Sequence, residues 1–190
     1  VGFLGIFGGT KTERLVKKLS NAYAQTSERV RAMEILASMG TQESLFGLLR
    51  RFSFRVERDI LDQDEKEQAF DLTVAAGEKA IPAIEEYVAQ YDSVYWPLKA
   101  LKEIAGLDAA VEVLLRVLDA ADQREGRKNE QRDQLVANLR DFQHPRIKER
   151  LLNLCDDSNE DVRLKALDGL ATYGEEAGLE AFANRILDAE

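Results

Sequence analysis

Along these 190 residues a small or apolar anchor is followed, eight positions later, by a residue suited to ending a helix, and the pattern occurs five times. The copies run from Ala32 to Gly40, Ala69 to Gly77, Leu98 to Gly106 and Ala166 to Gly174, with a degenerate copy from Leu135 to Gln143. Three residues before the anchors stand Arg29, Lys66, Tyr95, Arg132 and Arg163, basic in four cases of five. The anchors lie 37, 29, 37 and 31 residues apart, which leaves room for two helices and two turns in each unit. A closing Gly suits the left-handed conformation that ends a helix because it carries no Cβ.

A second apolar run follows each closing residue at the helical step of three and four. The runs are Leu45, Leu48, Leu49 and Phe52; Ile81, Ile84, Tyr87 and Val88; Val111, Leu114, Leu115 and Leu118; Ile147, Leu151, Leu152 and Leu154; and Leu179, Phe182 and Ile186. A hairpin of this size cannot bury its own apolar face, so neighbours must stack and share a core. The expected fold is therefore all-α, an α-solenoid of about five helical hairpins. The alternating run Phe52 to Val56 is the length of one strand, but it has nothing to pair with and reads as an extended connector. Residues 1–26 are expected to be an N-terminal apolar segment and a capping helix over 11–25, with Leu15, Leu19, Ala22 and Tyr23 on one side, and residues 27–190 the repeat domain. The polar run 119–134 reads as a solvated loop.

Charge narrows the partners. Residues 1–58 carry 10 basic and 5 acidic side chains, whereas residues 59–190 carry 16 basic and 30 acidic ones. Non-specific nucleic-acid affinity comes from Lys and Arg displacing counterions, so an acidic body argues against nucleic acid as a partner. No stretch approaches the roughly 20 apolar residues of a membrane span. The only cysteine, Cys155, excludes an internal disulfide framework and suits a reducing, cytoplasmic setting.

The stretch from Asp157 to Gly174, with an acidic turn, the Val162-Arg163 pair, Ala166 and a closing Gly, resembles a HEAT repeat. It resembles particularly the HEAT-like variety first noted in phycobilisome lyases. The copy from Glu28 to Gly40 is similar, with Arg29 and Ala32 in the matching places, while the copies near Lys66 and Tyr95 keep only the anchor and the Gly. The resemblance implies a HEAT/armadillo-like superhelix whose second helices line a concave surface, and it implies function only weakly. The expected role is a non-catalytic protein-protein interaction module or scaffold with no cofactor. Two rivals come with the family. A chromophore or cofactor lyase would have only the Cys155 thiol to work with, and a DNA glycosylase of the HEAT-like type would need a basic concave face.

Several residues invite a site. His144 is the lone histidine, without metal-ligand company, and reads as a turn residue. Asp157, Asn159 and Asp161 alternate like calcium ligands, but Val162 stands where that loop requires Gly, so they read as a turn and N-cap. No phosphate loop, dinucleotide-binding glycine pattern, serine nucleophile elbow or zinc-protease signature occurs, so no catalytic or metal site is expected. Arg50, Arg51, Arg55 and Arg58 form a basic run, read either as helix-end complements to the macrodipole or as a site for an acidic partner or phosphate. The aromatic cluster Tyr87, Tyr91, Tyr95 and Trp96 is read either as packing between repeats or as a partner's anchor patch. The apolar strip 1–9 followed by the basic helix leaves three readings: a tail, a strip docked on the first repeat, or contact with a membrane surface through residues 1–18.

Overall fold

The computed structural model describes residues 10–123 and 130–174. The apolar strip 1–9, the middle of the polar run around Gly126 and the last expected helix lie outside the described residues. All ten α-helices and the three short 3-10 turns among the described residues are joined by turns, and no strand occurs among them. The chain divides into two compact units, Val1–Ala105 and Gly106–Glu190, whereas the sequence places its boundary between residues 26 and 27.

The first unit holds α1 (Lys11–Leu19), α2 (Thr26–Met39), α3 (Gln42–Leu49), α4 (Asp59–Ala75), α5 (Ile81–Gln90) and α6 (Tyr95–Ala105). Helices α2, α4 and α6 pack in series, and so do α1, α3 and α5. Helix α1 thus stands in the row of second helices, packing on α2 and α3. It is shorter than expected, since Ser20 caps it after Leu19 and Tyr23 projects wholly into solvent. The second unit holds α7 (Leu107–Asp122), α8 (Glu130–Asn138), α9 (Pro145–Leu154) and α10 (Glu160–Ala171), with α7 packed on α9 and α8 on α10. The expected loop at 119–134 is helical at both of its described ends. Its polar residues are held by ion pairs, Arg132 reaching Asp122 and Asp157 at 2.5 Å each, with Arg150 also on Asp122.

All five anchors, Ala32, Ala69, Leu98, Leu135 and Ala166, are buried on the first helices of the pattern. Two closing glycines show why the residue is needed. Gly40 ends α2 at φ 61° and Gly106 precedes α7 at φ 90°, and a Cβ on either would meet nothing within 4 Å. The constraint there is backbone conformation alone. Gln143 closes the degenerate copy without a positive φ, and side-chain bonds replace the glycine. The Tyr173 hydroxyl accepts from the His144 N–H at 3.0 Å and lies 3.1 Å from the Phe142 and His144 carbonyls, while the Gln143 amide donates to the Thr172 carbonyl. His144 is a turn residue as expected, its Nδ1 accepting from the Arg146 N–H as N-cap of α9. Asn159 caps α10 in the same way, and Asp157 Oδ1 accepts from the Asn159 N–H.

Two substitutions separate packing from backbone strain. Ala69→Leu should lower stability by roughly 1 to 3 kcal/mol through overpacking, and Gly40→Ala by roughly 1 to 2 kcal/mol through its left-handed backbone although it touches nothing. Thermal melts of both against the parent check this, and an unchanged melt for Ala69→Leu would break the repeat alignment.

Candidate functional site

A 3-10 turn over Arg50–Ser53 follows α3, and its tight winding of about three residues per turn sends adjacent side chains in different directions. The basic run is therefore not one surface. Arg51 is fully buried, which corrects its reading as a partner-binding residue. Its Nε donates to Glu65 Oε2 and its Nη2 to Asp62 Oδ1, each at 2.8 Å, and its Nη1 to the Phe54 carbonyl at 3.2 Å. Arg29 grips the same Glu65, from Nε at 3.0 and 3.1 Å and from Nη2 at 2.7 Å. Its Nη1 donates to the carbonyls of Asn21, Ala22 and Ala24 in the turn before α2. Asp62 completes the set, accepting from Lys66 Nζ at 2.6 Å and from the Val56 N–H at 3.0 Å. Burial works to raise the Asp62 carboxyl pKa, but the hydrogen bonds from Lys66 and Arg51 outweigh it and hold the group below its ordinary value.

The other three arginines take no part in this network. Arg55 is exposed and pairs with Asp59 at 2.8 Å, and Arg58 is exposed just before α4. Arg50 lies over the Tyr91 ring at 4.8 Å with no ion-pair partner among the described residues. The aromatic cluster falls into two groups. Tyr91 stacks on buried Tyr87 at 4.5 Å and approaches Phe46 on α3 at 6.1 Å, and burial pushes the Tyr87 phenol pKa up. Trp96 is half-buried, stacked on Phe52 at 6.1 Å and tilted against Phe70 at 5.7 Å. Tyr95 meets the Trp96 edge at 5.5 Å and is 40% exposed. Lys99 Nζ stands 5.1 Å from both the Phe70 and Trp96 rings, a cation over aromatic faces.

Beside Arg50 a groove of about 400 Å³ opens between α1 and α3, lined by Thr12, Val16, Ser20, Phe46, Gly47 and Arg50 together with Glu13, Lys17 and Glu43. The apolar periodicity of the sequence does not mark this groove. Gly47, an interior glycine of a helix, was the available signal for a close approach. A Cβ there would stand 2.6 Å from Val16 Cγ2, so α1 rests on the bare backbone of α3. Cys155 is buried. No group of three or more His, Cys, Asp or Glu among the described residues is arranged to hold a metal. Comparison with known proteins finds no matching family model, no matching curated protein and no matching solved structure.

Removing one partner from a buried ion network leaves an uncompensated charge, so Glu65→Gln should cost roughly 3 to 5 kcal/mol. The pKa of Asp62 is lower folded than unfolded, so its contribution to stability is complete above the ordinary carboxylate pKa of ~3.9 and is lost as the pH falls from there through the folded value. Denaturant unfolding of the parent and of Asp62→Asn between neutral and acid pH checks this. The parent should lose stability more steeply on acidification than the variant.

Proposed function

We propose that the chain is a HEAT-like α-solenoid acting as a non-catalytic protein-interaction module, with the Tyr95–Trp96 edge as its partner contact. The serial packing of alternate helices within each unit is the arrangement that stacked hairpins adopt, and it supports the solenoid reading. The observation that carries the function is the aromatic platform. Trp96 is anchored on Phe52 and Phe70, and Tyr95 leans on it with its own ring in reach of solvent. Aromatic residues that are already immobilised lose little entropy on binding, and Tyr and Trp dominate the energetics of protein interfaces. Arg58, exposed and without an ion-pair partner among the described residues, adds a cation that an acidic partner segment would meet.

The two aromatic side chains should respond differently to removal. Tyr95→Ala should leave the melting temperature nearly unchanged and abolish a partner captured by the parent from its native host. Trp96→Ala should lower stability, by less than the roughly 3 to 5 kcal/mol of a fully buried ring. Capture of the same partners by parent and folded Tyr95→Ala would overturn this assignment.

A further inference from the structure

The groove between α1 and α3 has a built polarity. Both helices join α2 through short turns and pack on it, so they run in the same direction. Their first turns bring Glu13 and Glu43 to one end, and their last turns bring Lys17, Ser20 and Arg50 to the other. Between the ends lie Val16, Phe46 and the bare backbone of Gly47. Two lining side chains, Ser20 and Arg50, each hold a buried polar atom, Oγ and Nε respectively, without a hydrogen-bond partner. These atoms are at the cationic end, where Ser20 caps α1 and Arg50 caps α3.

From this arrangement we propose that the groove binds a medium-chain carboxylate, with the head at Arg50 and Ser20 and the chain over Val16 and Phe46. The Arg50 guanidinium has no ion-pair partner among the described residues, and with Lys17 it gives this end two positive charges that a carboxylate complements. The opposite end sets the orientation. Glu13 already accepts from the Thr10 N–H at 2.8 Å, and with Glu43 it makes that end anionic, so it repels a carboxylate and tolerates a methyl terminus. The volume of about 400 Å³ falls in the ordinary range of small-molecule sites, roughly 300 to 1,000 Å³. This site is separate from the Tyr95–Trp96 contact and does not depend on it.

The test titrates the full chain with sodium decanoate, below its micelle concentration and at low salt, by calorimetry and by methyl NMR of Val16. Binding of one decanoate per chain with a shift at Val16 is expected, with decanedioate and decyltrimethylammonium each weaker by at least about tenfold and Arg50→Gln weakened by about tenfold, the effect of losing one charge-assisted hydrogen bond. If Arg50→Gln loses its cooperative melt, Ser20→Ala takes its place and should also weaken binding. Absence of saturable binding, more than one decanoate per chain, no shift at Val16, equal affinity for decyltrimethylammonium, or undiminished binding by a folded variant would each overturn the proposal.

Discussion

Five charged side chains, Arg29, Glu65, Arg51, Asp62 and Lys66, share one set of hydrogen bonds inside the first unit, and most of that unit's geometry follows from them. Taking an ion out of water costs several kcal/mol even after relaxation, so each charge is tolerable only while its partners stay in place. The partners come from five places: the turn before α2, α2 itself, the 3-10 turn after α3, the connector that follows it at Phe54 and Val56, and the first half of α4. A displacement of any one would strand a buried charge. Hydrophobic packing holds these elements near one another, and the network sets the positions they take. Its acidic members lie on α4 at Asp62 and Glu65, one helical turn apart, so a single face of one helix receives both arginines.

That requirement reaches the surface. Because Arg51 is drawn inward, its neighbours in the 3-10 turn are turned elsewhere: Phe52 into the core, where Trp96 stacks on it, and Arg50 out over Tyr91. The aromatic platform at Tyr95 and Trp96 and the cationic end of the α1–α3 groove are thus two consequences of one buried guanidinium. The groove owes its depth to a different residue. Gly47 lets α1 approach the α3 backbone, and the hollow remains where Phe46 and Arg50 flank that contact.

The second unit achieves order with less burial. Arg132 and Arg150 hold Asp122 and Asp157 in partly exposed pairs, where solvent screening leaves each pair worth little by itself. Its turn at Gln143 lacks the glycine of the other copies and is fastened instead by the Tyr173 hydroxyl, 29 residues away from His144. One repeat pattern is therefore closed in two ways, by a backbone conformation that only glycine takes easily and by a side chain from the following repeat.

The sequence by itself determined the all-helical class, the burial of the anchors and the caps. The anchors Ala32, Ala69 and Ala166 recur with the period of the hairpin, and Gly40, Gly106 and Asn159 act on backbone within a few residues of themselves. Such signals are local or periodic, so they survive without knowledge of what packs where. The same locality explains the errors. Arg50 to Arg58 looks like one basic run along the chain, and Tyr87 to Trp96 like one aromatic cluster, because nearness in sequence was the only distance available. Only the tertiary structure decided that Arg51 points inward and that Tyr91 and Trp96 belong to different groups. It also decided that α1 and α3 leave a groove between them. Each of these depends on which helices face each other: the partner of Arg29 is 36 positions away on another helix, and a separation of that kind carries no periodic trace in the residues between.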